Sequence, residues 1–553
     1  MCNINVIMRE SVLPAGRQKE RGTVHMSEKD YILAMYDIRG KQDYIYKSSK
    51  IKEIVGGSYI IRDCFDDCLF PAAEKVSEKG IFSYRRNSQQ DEPEEFTPEN
   101  FESRLEKGYV GEVVYDGGGN FFVLYRDAEV YREVNRRFYR ELLDKTYSLR
   151  VLTTCIGEIN FDNYPQDRDR LYAEHHRREQ RESMINPVNT LPVVQTDYRT
   201  SLPLAELQHI GNRDEKVSYE SKKKYVKYEE MSRERANREI QIQLEGSDKL
   251  DNLITKKGEE SLLAVIYIDG NSMGAQVERC LNGVDKSYSA CVKALRQFSE
   301  EIQTHYIDKR IADVDALLEK RANGRRRFVV YAGDEVTFIC NARNAYDVAR
   351  EYLTRLAEES PQGAPRTSCA GIAVFHSHAP FREAYRIAEE CCESGKKLMK
   401  AEGITNASLI DFHYCQGAFG TSLEEIRKEE ETENSSRPWF IKYYDGSGQA
   451  AGREGLIKGK YISDDIVQKM KDMLNKSGRS NIKNLALSAR KGAADFKSEL
   501  ERICAHQLEK HLDFTLGGLL DDEMQRKLIY DMVIVYDLWF DEEKKRTAEK
   551  EDA

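Results

Sequence analysis

Three carboxylates stand where chemistry could be done. Asp269 closes the apolar run LLAVIYID, and Asp334 and Glu335 sit together in FVVYAGDEVTFIC, between two further apolar runs. Gly333 gives a tight turn the backbone freedom it needs just before the acidic pair. If the apolar runs are adjacent strands, the three side chains converge at one end of a sheet. Carboxylates that close repel one another, which is tolerable when hard cations fill the space between them. Two magnesium or manganese ions held this way could activate a ribose 3′-hydroxyl and stabilise the leaving pyrophosphate of a nucleoside triphosphate. Asp and Glu are also common at ordinary turn tips, so spacing alone leaves a plain polar hairpin open.

The elements that must position these residues occur twice. In the first unit YILAMYDIRG is followed by VVYDGGGNFFVLY, then by a helical stretch with Val130, Val134, Phe138 and Leu142 four apart, then by LRVLTTCIG. In the second, LLAVIYIDGNSMG is followed by FVVYAGDEVTFIC, a helix from about 344 to 358, and SCAGIAVF. Both read as strand, long insertion, hairpin, helix, strand, the ferredoxin-like arrangement of palm-type nucleotidyltransferases and nucleotide cyclases. Fold alone does not establish chemistry. Aligning Tyr115 with Tyr331 sets Gly118 and Gly119 opposite Asp334 and Glu335, and a slip of one residue sets Gly119 and Asn120 there. Either way the first hairpin lacks the acidic pair, although Asp37 still ends its strand. One unit reads as catalytic and the other as degenerate.

The predicted fold class is α+β. A disordered leader over 1–27 precedes a degenerate first palm at 28–158, a charged helical connector at 159–260, a catalytic second palm at 261–415, and a separate helical domain at 416–553, broken by an irregular RPWF and a Gly-rich stretch. In the connector, EHHRREQRE and SKKKYVKYEEMSRERANRE read as solvated helical faces or as contacts to nucleic acid phosphates. Arg325 to Arg327 read the same two ways.

Composition narrows the classes. The 553 residues carry 85 Lys and Arg against 95 Asp and Glu, a net charge of −10, which argues against a protein that coats DNA through counterion release. Stretches such as Leu262 to Ile268 are far shorter than the roughly 20 residues of a spanning helix. No secretory signal is readable at the amino terminus, so a cytoplasmic protein with no membrane association is expected. Twelve cysteines include no Cys-x-x-Cys pair, and Cys64 and Cys68, one helical turn apart, read as buried apolar residues.

Taken in order, DIRGKQDYIYKSSKIKEIVGGS (37–58), GGGN (117–120), IDGNSMG (268–274), YAGDEV (331–336), SGKKLMK (394–400) and RPWF (437–440) resemble the large polymerase and cyclase subunit of type III CRISPR effector complexes, whose two palms make cyclic oligoadenylates from ATP. The resemblance implies metal binding by Asp269, Asp334 and Glu335, with Gly333 at the tip. It implies a triphosphate cradle from the backbone of Gly270, Asn271, Ser272, Met273 and Gly274, and a phosphate-neutralising Lys396, with Lys397 as its rival. Gly57 and Ser58 match a turn reaching a second nucleotide between the palms, and Ser58 also suits a helix or turn cap.

The expected cofactors are two Mg²⁺ or Mn²⁺ ions. The expected substrate is ATP, and the expected partners are effector subunits with guide and target RNA. The sequence departs from the family in three ways. Its tip is Ala-Gly-Asp-Glu rather than Gly-Gly-Asp-Asp, it has no His-Asp dipeptide, and it lacks a zinc ribbon, so a trimmed form without the nuclease domain is expected. A scaffold without turnover is the alternative. A diguanylate cyclase fits less well, because DGNSMG replaces the usual Phe-Lys pair and an internal degenerate partner makes a homodimer unnecessary.

Overall fold

The computed structural model describes residues 30–48, 50–86, 95–117, 119–181, 193–210, 213–237, 250–253, 261–321, 324–361, 364–415, 420–430, 435–444 and 461–541. The expected leader over 1–27 lies outside the described residues, as does most of the Gly-rich stretch near 445–460. The first palm runs β1 (Ile32–Arg39), α1 (Lys41–Ile45), α2 (Ile51–Arg62), α3 (Phe70–Glu74), β2 (Ile81–Phe82), α4 (Pro98–Glu106), β3 (Gly111–Gly117), β4 (Asn120–Tyr125), α5 (Ala128–Thr146) and β5 (Arg150–Ile156). Its sheet has the order β2-β3-β4-β1-β5. Leu33, Ala34, Met35 and Tyr36 of β1 are all buried, because both faces of the sheet are covered. That is why β1 reads as an unbroken apolar run rather than an alternating one. Cys64 and Cys68 lie in the core under α5, as expected of small apolar residues.

The connector is α6 (Tyr164–Arg181), the hairpin β6 (Leu204–Ile210) and β7 (Arg213–Ser218), and α7 (Tyr219–Asn237). It is therefore not purely helical: the alternation in LAELQHI is the period of two that a strand requires. The supposed solvated faces turn inward in part. Lys224 of α7 is fully buried and donates to Glu220 Oε1 at 2.6 Å. Lys227 spans Asp63 and Asp67 at 2.9 and 2.7 Å, and His175 of α6 is buried against Thr154 and Asp37. Gly56 and Gly57 let α2 pack on α7, since a Cβ at Gly56 would overlap the Lys224 carbonyl. Each glycine costs a helix roughly 1 kcal/mol, and the close approach is what they make possible.

The second palm runs β8 (Leu262–Gly270), α8 (Met273–Asn282), α9 (Tyr288–Ile302), α10 (Lys309–Leu318), β9 (Arg326–Ala332), β10 (Glu335–Asn341), α11 (Ala345–Glu358), β11 (Ser368–His376), α12 (Phe381–Ala401) and β12 (Ala407–Tyr414). After α13 (Leu423–Glu430), the strand β13 (Trp439–Tyr443) returns to the same sheet, whose order is β13-β12-β11-β8-β10-β9. The two palms thus share one order, β3-β4-β1-β5 in the first and β9-β10-β8-β11 in the second. RPWF is not irregular, because Trp439 and Phe440 are buried in a strand paired with β12.

Nor do the last helices, α14 (Asp464–Ser477), α15 (Arg479–Lys491), α16 (Ala493–His506) and α17 (Asp522–Ile534), stand apart. They share one apolar core with the second palm. Trp539 stacks on Tyr346 of α11, Phe412 packs edge-on to both Trp439 and Trp539, and Arg437 is ion-paired with buried Asp531 at 3.0 Å. Arg326 and Arg327 form no surface patch, since both are buried and Arg326 grips Asp315 at 2.6 and 2.5 Å. Among the described residues no helix is long and apolar enough to cross a membrane.

The palms interlock reciprocally. Ile45, Tyr46 and Ile54 of the first palm enter a core with Phe381, Tyr385 and Tyr267 of the second, and Tyr46 stacks on Tyr385 with centroids 3.8 Å apart. In return Tyr288, Val292 and Leu295 of α9 cover the open face of the first sheet. Arg296 of α9 reaches Glu112 of β3 at 3.0 Å, where Glu112 also meets Arg104, with all three side chains buried. Gly56→Ala is expected to destabilise the protein by about 2 kcal/mol, because the new methyl collides with backbone rather than a movable side chain. Gly274→Ala, which meets nothing within 4 Å, should stay within about 0.5 kcal/mol. Urea denaturation of the two variants checks both.

Candidate active site

Register decides which residues meet. In the second palm Ile268 of β8 pairs with Val336 of β10, so one step further sets Asp269 beside Glu335, and the two-residue turn between Ala332 and Glu335 carries Gly333 and Asp334 over the strand end. Gly333 has φ +65, a conformation that glycine adopts without strain. In the first palm Asp37 pairs with Asn120, and Gly117 with Asn120 closes the turn. The slipped alignment is therefore the right one: Gly119 stands for Asp334, Asn120 for Glu335 and Asp37 for Asp269. Gly118 lies outside the described residues.

Burial and mutual repulsion act on the three acids together. Asp334 is pushed up to about 7 by loss of water, then by the charge of Asp269, to which it is hydrogen-bonded. Glu335 is pushed up to about 8, first by burial and then by Asp269, Glu389 and Asp334. Lys396 of α12 is ion-paired with Asp269, while Lys397 is exposed on the far side, so the geometry selects Lys396. Two glycines let α12 lie close enough for this contact. A Cβ on Gly371 would overlap the Ala388 carbonyl, and one on Gly395 would press on Cys369 Sγ at 3.2 Å.

The loop after Asp269 divides into structural and open parts. A Cβ on Gly270 would sit 2.8 Å from Asp334 Oδ2 and clash with Met273, so glycine there admits the tip. Asn271 is buried and spent on structure: its amide donates to Thr367 O at 3.0 Å, its side chain donates to Ala407 O at 2.8 Å, and its carbonyl accepts from Gln276. It does not offer its amide to a phosphate, contrary to expectation. Ser272, exposed at φ +57, starts α8 without capping it through its side chain. The first-turn amides of Met273 and Gly274 have no partner within the helix, and Gly274 faces open space. The cradle thus narrows to 272–274.

Gly57 and Ser58 do not form a turn. They lie inside α2, buried, where α2 packs between α7 and β9. Ser58 accordingly caps nothing. The structure adds one group that sequence reasoning missed. Glu389 lies seven residues before Lys396 on the same face of α12, and its carboxyl is raised by burial and by its acidic neighbours, Asp269 among them.

Among the described residues no three acidic, histidine or cysteine side chains form a metal-holding group as they stand, and the Lys396 ammonium is ion-paired with Asp269. The donor set itself fits divalent cations. Two of its three carboxyls have their ionisation opposed by neighbouring negative charge, and a hard cation relieves that opposition.

Residues 262–404 match the family model of the second palm domain of Cas10/Cmr2. Among solved structures, the chain is similar to a Csm1–Csm4 cassette in complex with cA4, at a TM-score of 0.45 and 12% identity, covering 92% of this chain and 70% of that one. It is similar to the cassette in complex with one ATP at a TM-score of 0.46 and 14% identity, with the same coverage. It is likewise similar to the Csm1–Csm4 subcomplex of a type III-A CRISPR-Csm interference complex, at 0.45 and 13%, again covering 92% and 70%. No curated protein matches the chain significantly.

A carboxyl raised in the fold binds more protons there than in the unfolded chain, so stability falls as pH climbs from the unfolded value through the folded one. For Asp334 and Glu335 that window runs from about 4 to about 8. In a chelator, the protein should lose thermal stability steadily between pH 6 and 8.5, and the Asp334→Asn, Glu335→Gln double variant should show a flatter slope in the same melts.

Proposed function

We propose that this Cas10-like chain, whose residues 262–404 form a second palm domain of the Cas10/Cmr2 type, is a nucleotidyltransferase that joins ATP into linear or cyclic oligoadenylates. The observation that carries the reading is the contrast between two palms of one register. The second concentrates Asp269, Asp334 and Glu335 at a strand end, whereas the first has Asp37, Gly119 and Asn120 at the same three places.

In this reading the 3′-oxygen of one nucleotide attacks the α-phosphorus of the next. The bond to the β-phosphate breaks, pyrophosphate leaves and the hydroxyl proton passes to water. Asp269, Asp334 and Glu335 would hold the divalent cations, which polarise the attacking hydroxyl and the departing pyrophosphate. The chain's own residues do the rest. The first-turn amides at 272–274 would donate to phosphate oxygens, and Lys396, whose ammonium lies at Asp269, would balance phosphate charge. Asn271 ties the loop to Thr367, just before β11, and to Ala407 at the start of β12. By the same resemblance, the chain works with effector subunits that carry guide and target RNA.

Two observations favour a second reading, a nucleotide-holding scaffold without turnover: Lys396 engages Asp269 directly, and Glu335 is one methylene longer than the Asp usual in the family. Turnover separates the two. The purified protein, given each of the four nucleoside triphosphates with Mg²⁺ or Mn²⁺, is expected to yield adenylate oligomers and pyrophosphate, identified by mass spectrometry. The Asp334→Asn, Glu335→Gln variant should lose at least about 100-fold of that rate. Product from the double variant at the unaltered rate would place the chemistry elsewhere.

A further inference from the structure

The turn that carries Asp334 joins β9 to β10, and β9 is the outer strand of its sheet. Ladders on both sides hold β8 and β10, whereas among the described residues β9 is paired on one side only. Tyr331 lies on this outer strand, one register step from the Ala332–Glu335 pair that closes the turn. Arg62, the last residue of α2, donates from Nη1 to the Tyr331 hydroxyl at 2.9 Å. Its guanidinium carbon lies 4.9 Å from the ring centre of Tyr59 and 5.7 Å from that of Tyr331. A side chain of the first palm thus grips the outer strand of the acidic hairpin two residues before Gly333.

The guanidinium is itself fixed. Asp63 accepts from its Nε at 2.6 Å and from its Nη2 at 3.0 Å, a fork that sets the plane of the group. Asp63 is paired in turn with Lys227 of α7 at 2.9 Å, and Met231 of α7 lies 3.9 Å from Nη2. The first palm's own hairpin is held in the same manner from the opposite side. There Asp116 stands for Tyr331. Ser299 of α9 donates to the Asp116 carbonyl at 2.7 Å, and Arg296 donates to the carbonyls of Val113 and Val114. Each hairpin is therefore fastened by polar side chains of the other palm, although only one hairpin carries the acids.

Resting on the function proposed above, we propose that Arg62 is a positioning residue for the catalytic turn, a strut from the first palm that fixes β9 through Tyr331 and so sets where Asp334 and Glu335 stand relative to Asp269. Misplacing reacting groups by about 1 Å can cost about 100-fold in rate. Loss of a strut that lets the outer strand drift by part of that distance is expected to cost about tenfold.

Two measurements on the full chain test this. Hydrogen exchange read by mass spectrometry, in chelator and without nucleotide, reports on the hairpin directly. Arg62→Met and Tyr331→Phe should each raise exchange across 329–336 at least threefold and leave β11 and β12 unchanged, and the double variant should exceed neither. With ATP and Mg²⁺, Arg62→Met should lower kcat about tenfold with KM altered less than threefold, and Arg62→Lys, whose ammonium still reaches the Tyr331 hydroxyl, should recover part of the loss. Thermal melts establish that the variants are folded, and Tyr331→Phe, which removes a single oxygen atom, carries the test if Arg62→Met is not. Unaltered exchange in the folded variants, or a raised KM at unchanged kcat, overturns the assignment. If either comes with product that the Asp334→Asn, Glu335→Gln variant loses, the proposed function survives without the strut. If exchange responds as expected but wild type makes no product, the strut stands and the proposed function falls.

Discussion

The organising constraint is the repulsion among three carboxylates brought to the end of two adjacent strands with little water between them. Asp334 and Asp269 share a hydrogen bond, Glu335 sits beside them, and Glu389 adds a fourth acid from α12. Negative charge at that density is stable only with protons, lysines or cations, and the fold provides routes for each. Lys396 arrives because Gly371 and Gly395 let α12 settle on the sheet, and the tip closes over β8 because position 270 has no side chain.

The same constraint explains why the two palms differ in kind despite sharing one strand order. In the first, the remaining acid is already satisfied: Asp37 is flanked by Arg39 and His175, and His175 is in turn held by Thr154. Arg39 and the buried His175 ring hold it there, and the positions that match Asp334 and Glu335 are Gly119 and Asn120. The first palm's α1 and α2 pack against the second palm and so shape the neighbouring site.

Interlocking makes that shaping rigid. Each palm covers a face of the other, through Tyr46 and Ile54 in one direction and through α9 in the other, and the buried Arg104–Glu112–Arg296 cluster ties β3 to α9. Removing one partner of such a buried cluster would leave an uncompensated buried charge, so the three residues hold β3 and α9 together as a unit. The C-terminal helices and β13 extend the second palm's core rather than forming a module of their own, so the site rests on one continuous body from β8 to Trp539.

Local pattern determined a good part of this. The doubled strand, hairpin, helix, strand order, the strands β1 and β8, and the placing of Asp269 and Asp334–Glu335 at strand end and turn tip were legible because apolar runs and turn residues act over a few positions. Long-range contact decided the rest. The choice of Lys396 over Lys397 follows from which face of α12 meets the sheet, and adjacent lysines look alike in sequence. Ser58 became a mid-helix residue because packing against α7 outweighed the two glycines before it. RPWF became strand because β12 offered an open edge, Lys224 turned inward to Glu220 one helical turn away and to the distant Tyr44 carbonyl, and Arg326 turned inward to Asp315 of α10. Glu389 could not be singled out at all. Its place near Asp269 depends on a strand more than 100 residues away, and proximity across such a distance is set by tertiary packing, not by spacing along the chain.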